Sequence, residues 1–518
     1  MHRCWNVAEL TQMIFEEFVE EPSVNSQYPD SVARQIHLDE QGGLGPANAK
    51  SLLQLATTCQ NFSVPALDIL WRRSNGIIKL LKCLPSSTWC ICGDGYFRMV
   101  ASPTVEDWNL VLKYSRRIRT FSDEEGGEIY LDPSVLESTI HIPCDALFPN
   151  VRKLSCRSSS PLFPYIHLLL GSRLRNLTIL FDGPSIRIPF IRSLRTYFPQ
   201  MEHIYLQSEP PQDQDYTSMV AATVSSVVME MQALRTLCVD SLNGPACNYI
   251  ASLPNLEHLT VWHLIFSPSP DTVSDTAFSA LRKLVLVAAD LKCITNFVTM
   301  TVGSPLRSLL IDAHQPPHAG PLLRALYSAC NSVHLTSIQL ELYGNDTVFA
   351  DPKAYRIPVD SLHPLLAYSN LRRVKLFCTL GVTLDDKSLD AMARAWPQIE
   401  ELCLRAVFCY RYSPDSYPTV NSLSSLAQHC LFLRELTLAV DITTSQRAKI
   451  SHKTLELWHP LDSPISSPRH AADLLRSCFP SVSIVPYTLP TFQPKSNEMI
   501  KRTRLWEKAR QLMSKSED

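Results

Sequence analysis

The most closely spaced thiols in this 518-residue chain are those of Cys90 and Cys92, with the carboxyl of Asp94 two residues further on. Thiols and carboxylates can ligate zinc, but structural zinc sites draw on paired ligands about two to four residues apart, and they need two such pairs. No second pair and no nearby histidine accompanies this one, so it reads as structural thiols and no metal is expected. His314 and His318 are spaced to share a helix face, yet Pro316 and Pro317 between them forbid the helix. A cysteine or serine hydrolase would need a nucleophile, a base and an orienting acid brought together in space. Among 16 Cys and 15 His no local signature such as G-x-S-x-G marks such a set. Glycine is scarce, 15 residues, where average usage of about 7% would give roughly 36. There is no GxGxxG or Walker pattern to cradle phosphates. The residues therefore point to a non-enzyme with no catalytic set and no cofactor, and a hydrolase using a Cys or His near Cys90 to Asp94 is the enzymatic alternative.

The elements that would hold any site are far more legible. An apolar residue, two variable ones, a second apolar residue, one variable and a third apolar recur in eleven copies. The clearest are Leu174-Arg175-Asn176-Leu177-Thr178-Ile179, Leu256 to Val261, Leu281 to Leu286 and Leu433 to Leu438. The others begin at Val151, Met201, Leu234, Leu306, Leu335, Leu371 and Ile399. Ten steps from Val151 to Leu433 average about 28 residues, the spacing of a leucine-rich repeat. Each copy reads as a short strand with alternate side chains buried, and one copy alone cannot bury its apolar edge. Stacked copies can, so the fold expected is α/β: a small all-helical N-terminal module, then a curved repeat solenoid. Its parallel sheet would lie on the concave face and its helices on the convex face.

Between strands, Ala319 to Ala329 places Leu322, Leu323, Leu326 and Tyr327 at helical spacing, and Ser388 to Trp396 does the same with Leu389, Met392, Ala393 and Trp396. Proline then recurs just before the strands, at Pro149, Pro199, Pro254 and Pro397, where it ends the helix and favours extended backbone. Lys plus Arg number 48 against 50 for Asp plus Glu, a formal net charge of −2, so no global basic field recruits nucleic acid or a membrane surface. The N-terminus carries Glu9, Glu16 and Glu17 where a signal peptide would be apolar. An intracellular protein, cytoplasmic or nuclear, with reduced thiols is expected. Cys156, Cys238 and Cys403 then serve as small hydrophobes inside strands.

Before the repeats, Val7, Leu10, Ile14, Phe15 and Phe18 form one face of a helix, and Leu52, Leu55, Ala56, Cys59 and Phe62 form a second, ending in a Pro65-Ala66-Leu67 turn. A third helix begins at Asp68-Ile69-Leu70-Trp71-Arg72-Arg73. Residues 22–49, rich in Pro, Gly, Ser and Gln, read as a mobile insertion. The divisions expected are 1–75 for the helical module, 76–147 for a linker and first irregular repeat, 148–486 for the repeat array, and 487–518 for a tail with a charged helix. In that tail Ile500, Leu505 and Leu512 are only loosely periodic. Phe479 to Ile484 reads as a last strand.

These features together resemble the F-box/leucine-rich-repeat proteins of mushroom-forming fungi. The likeness is carried by His2-Arg3, Val7-Ala8-Glu9-Leu10, Ile14-Phe15, Leu55 to Phe62, Pro65 to Asp68 and Leu70 to Arg73. It continues through Leu80 to Pro85, Asp107-Trp108, Tyr114 to Arg119 and Phe148 to Leu154. Ala8 departs from the pattern, standing where the family usually starts its first helix with proline. The resemblance implies a non-catalytic substrate receptor of an SCF-type ubiquitin ligase, whose F-box binds the Skp1 adaptor and, through it, cullin. The Skp1-binding residues it implies are Val7, Leu10, Ile14, Phe15, Leu52, Leu55, Cys59, Phe62, Leu67 and Leu70. A repeat scaffold without Skp1 recruitment is the alternative.

The repeats would present a target protein. Alternation along each strand sends the residues between the apolar ones to the concave face. These are His203, Tyr205, Asp240, His258, Trp262, Asp312, Glu341, Arg373, Lys375 and Arg405, an acidic middle passing into a basic C-terminal third. Trp262, flanked by polar groups, is expected to be an exposed anchor.

Overall fold

The computed structural model describes residues 8–19, 44–123, 129–135, 146–181, 187–208, 214–265, 277–314, 319–330, 333–344, 355–406, 417–443, 451–486 and 497–514. Two compact units divide at Gln212 and Asp213.

Among the described residues the first unit opens with the helices Ala8–Glu16, Pro46–Thr58 and Gln60–Leu70. Their shared core is Phe15, Leu52, Ala66 and Ile69, with Phe18, Leu55 and Phe62 packed around it. Phe15 meets Phe62 edge to face at 5.7 Å between centroids. The helix breaks differ from expectation. Cys59, with φ −158° and ψ 163°, is the extended residue that divides the second helix from the third, and Pro65 lies inside the third rather than ending the second. Trp71 ends that helix, and Arg73–Asn75 is already a strand, so no helix begins at Asp68. The expected insertion lies outside the described residues up to 43, and its last four residues, 46–49, form the first turn of the Pro46–Thr58 helix.

Strands β1 (Arg73–Asn75), β4 (Thr120–Asp123), β6 (Lys153–Arg157), β7 (Asn176–Phe181) and β8 (His203–Ser208) form a parallel sheet in that order. Register aligns Ser74, Phe121, Leu154, Leu177 and Ile204 as one buried row. A separate three-stranded sheet is made of β2 (Trp89–Ile91), β3 (Tyr96–Met99) and β5 (Tyr130–Leu131), the last of which follows β4 in the chain. The Val105–Ser115 helix before β4 begins with a reciprocal capping box between Thr104 and Asp107. Gly171 is dictated by close approach: a Cβ there would stand 2.7 Å from the Pro149 carbonyl oxygen.

In the second unit, ten parallel strands run in chain order. These are β9 (Thr236–Val239), β10 (His258–Val261), β11 (Lys283–Ala288), β12 (Ser308–His314), β13 (Ser337–Tyr343), β14 (Arg373–Cys378), β15 (Glu401–Ala406), β16 (Glu435–Thr437), β17 (Leu457–His459) and β18 (Ser483–Ile484). One row of the ladder reads Leu237, Leu259, Leu284, Leu309, Ile338, Val374, Leu402, Leu436, Trp458 and Ile484, all buried. All eleven repeat copies read from the sequence are strands, and each unit is a leucine-rich-repeat stack. Helices fill the crossings. Gly320–Ala329 buries Leu322, Leu323 and Leu326 but leaves Tyr327 exposed, against expectation. Asp386–Ala395 is capped by the Asp385 carboxylate, which accepts from the Ser388 N–H at 2.8 Å. Trp396, just past its end, is buried and donates from Nε1 to the Leu365 carbonyl at 3.0 Å.

The two units share one repeating backbone device. The carbonyl of the residue after the first apolar position accepts two N–H groups from the next repeat, as Arg152 O does from Arg175 and Asn176 at 2.9 Å each. Arg282 O does the same from Arg307 and Ser308 in the second unit.

The C-terminal segment is no loose tail. Asn497–Ser514 is a helix packed on the Pro468–Cys478 helix. It buries Trp506 completely, edge to face with Trp458 at 5.3 Å, and the Trp506 indole donates to the Ser463 carbonyl at 3.0 Å. Ile500, Leu505 and Leu512 are only half-buried there. Among the described residues no helix is long and apolar enough to cross a membrane.

Candidate functional site

In the helical module the residues read as adaptor-binding fall into two groups. Phe15 and Leu52 are 1% and 0% exposed, so they hold the module together and cannot themselves face a partner. Leu10 and Ile14 are 42% and 40% exposed and share a helix face with Met13 at 63%. Leu55, Cys59, Phe62, Leu67 and Leu70 are half-buried, and Val7 lies outside the described residues. Met13, Leu53 and Val64 are exposed apolar side chains that the sequence reading did not include. Arg72 pairs with Glu16 at 2.8 Å and Arg117 pairs with Asp68, so charged groups tie these helices to the first strands of the same unit. The Arg72 guanidinium, followed by Gln12, holds the Glu16 carboxyl below its usual range.

On the sheet face, His203 and Tyr205 belong to the first unit and are half-buried; the other eight expected target contacts lie in the second. There the strict alternation fails. Thr260, Val285 and Leu310 occupy the same row, facing away from the core ladder, yet are only 7%, 2% and 9% exposed. Trp262 is half-buried, and its indole N–H donates to Cys238 Sγ at 3.3 Å. It is part of the packing and not a free anchor. His258 and Arg373 are exposed, and Asp240, Asp312, Glu341, Lys375 and Arg405 are half-buried.

The charges also interleave where segregation was expected. Lys375 Nζ meets Glu401 Oε1 at 2.5 Å across neighbouring strands. Tyr343 donates to Glu341 Oε2 at 2.7 Å. Burial, that bond and the charges of Glu341 and Asp312 push the Tyr343 phenol up, while Arg405 acts on it in the opposite sense. Acid and base thus converge on one tyrosine, and the C-terminal third is not a simple basic zone.

Cys90 and Cys92 Sγ atoms lie 3.6 Å apart, and Asp94 is occupied by Arg98 at 2.9 Å. No group of three or more metal-ligating side chains occurs among the described residues. Burial pushes the thiols of Cys238, Cys247, Cys330, Cys378 and Cys430 up to about 12, the reverse of what a nucleophile needs. His314 and His318 have no described side chains.

No protein-family model matches the sequence. No curated protein matches it either. Among solved structures, the chain is similar to one in the crystal structure of the Rad7 and Elc1 complex in yeast. That pair is 13% identical with a TM-score of 0.35, covering 87% of this chain and 93% of the other. A chain of the TLR13–ssRNA13 complex is also 13% identical, with a TM-score of 0.37, covering 73% of this chain and 51% of that one.

Proposed function

We propose that the chain is a non-catalytic substrate receptor of an SCF-type ubiquitin ligase, its helical module docking on Skp1, and through it cullin, while the repeats hold a target protein. The observation that supports this reading most is the Ala8–Glu16 helix. One of its side chains, Phe15, closes the module's core, while Leu10, Met13 and Ile14 remain outside it. Apolar side chains grouped on one exposed helix face are the composition of a docking surface. The repeats supply what a receptor needs besides, a long sheet face whose polar positions can vary without disturbing the buried rows.

The test is co-purification with Skp1 of the wild type and of a Leu10→Asp/Ile14→Asp variant. Placing two charges in an apolar interface should abolish capture, since each unpaired buried charge costs several kcal/mol. Wild-type protein that never retains Skp1 would favour the scaffold reading, and an unaffected double variant would remove this helix from the interface.

A further inference from the structure

The first unit carries an arginine cluster that the adaptor reading does not use. Arg119, Arg152 and Arg175 follow the first apolar residue of three successive repeats and stand side by side: Arg119 O accepts from the Arg152 N–H and Arg152 O from the Arg175 N–H, at 2.8 and 2.9 Å. Arg116 and Arg173 join them through Asn150, whose Nδ2 donates to the Arg116 carbonyl while its Oδ1 accepts from Arg173 Nη1, both at 2.8 Å. Arg116, Arg152 and Arg173 are exposed. The side chains of Arg116 and Arg152 make no ion pair among the described residues, and the carboxylate that meets the cluster is Glu202, 3.5 Å from Arg175. Burial and then the Arg152 charge depress the Arg119 pKa, with Arg173 and Arg72 adding to the crowding and Asp68 opposing it. A chain with net charge −2 has therefore concentrated like charge at one strand edge.

We infer that this edge of the first unit binds a short acidic segment of a partner protein, a run of adjacent Asp or Glu side chains. Guanidinium groups take carboxylates with two parallel hydrogen bonds, and a row of them selects for consecutive acids. Two inter-strand gaps of about 4.8 Å span roughly 10 Å, which an extended peptide covers in about three residues. Single-stranded nucleic acid is the poorer fit, because such surfaces interleave cations with aromatic platforms. Phe121 and Phe148, close in sequence to Arg119 and Arg152, are fully buried, and Tyr114 is stacked on Trp71 at 5.0 Å between centroids.

This inference is independent of adaptor docking, and Skp1 capture by the same variants keeps the two apart. Fluorescence anisotropy would compare full-length chain binding to three probes: a labelled peptide with four consecutive Glu, the same peptide with Gln, and a labelled oligouridylate. The Glu peptide should bind best and weaken steeply with salt. An Arg152→Glu/Arg173→Glu variant should lose about tenfold or more in affinity at an unchanged melting temperature, as expected for reversed charges at an exposed surface. Equal binding of the Glu and Gln peptides at low salt would overturn the inference, as would an affinity unmoved by the double reversal. Tighter binding of oligouridylate through the same arginines would reassign the edge to nucleic acid.

Discussion

The N-terminal helical module of the first unit and the Asn497–Ser514 helix of the second treat apolar surface in opposite ways. The Asn497–Ser514 helix commits its bulkiest side chain, Trp506, entirely to the interior, against Trp458 of the penultimate strand. The Ala8–Glu16 helix commits Phe15 and leaves Leu10, Met13 and Ile14 outside. A terminal element that only closed a stack would resemble the first kind. The contrast teaches that the apolar exposure of the Ala8–Glu16 helix is not shared by the Asn497–Ser514 helix, and it accords with the docking role proposed for that face.

The comparison can be broken most decisively at the closed end. Trp506→Ala removes the ring packed on Trp458 and the donor to the Ser463 carbonyl, and should cost about 3–5 kcal/mol by urea unfolding of the second unit. A loss under about 1 kcal/mol would mean that the C-terminal helix closes nothing. Leu284→Ala, in the middle of the same ladder, sets the reference for a fully enclosed position and should cost about 2–5 kcal/mol. Should Leu284 prove nearly neutral, the register of the row would be wrong. At the open end, Leu10→Asp/Ile14→Asp should change unfolding free energy by less than about 1 kcal/mol, since both side chains lie outside the module's core and are two-fifths exposed. A large destabilisation there would erase the contrast and return those residues to the core. Smallest of all, Arg372→Ala breaks an exposed pair with Glu400 at 3.0 Å. Its cost should be about 0.2–1 kcal/mol, measurable by comparing melts at low and high salt.

The eleven repeat strands were legible because each pairs a buried alternation with a recurring spacing, and periodicity of that kind survives in a single sequence. Strands β1 and β17 were not read as repeat strands, and β4 was placed only within a first irregular repeat, because the row that elsewhere holds Leu, Ile or Val is held there by Ser74, Phe121 and Trp458. The packed C-terminal helix escaped notice for a related reason. Its interior is made by Met499, Trp506 and Ala509, while Ile500, Leu505 and Leu512, the residues a hydrophobicity count favours, stay half-buried. In the helical module, apolar residues occupy more than one face of a short helix. Which of Phe15 and Ile14 points inward depends on Leu52, Ala66 and Ile69, more than thirty residues away in the chain. The sheet face was legible only as alternation. That rule places a side chain on a side but says nothing of what covers it, so it missed the burial of Thr260, Val285 and Leu310 and the indole of Trp262 on Cys238.

The Trp458–Trp506 contact has a consequence for how the protein is made. Synthesis proceeds from the N-terminus, and repeats can dock one by one as they leave the ribosome. Trp458 is translated well before its partner ring, so the nascent chain displays an uncovered indole until the Asn497–Ser514 helix emerges. A chain cut between residues 486 and 497 would leave the Trp458 indole without the ring that packs on it. The Asn497–Ser514 helix thus covers apolar surface that the repeats made before it leave open.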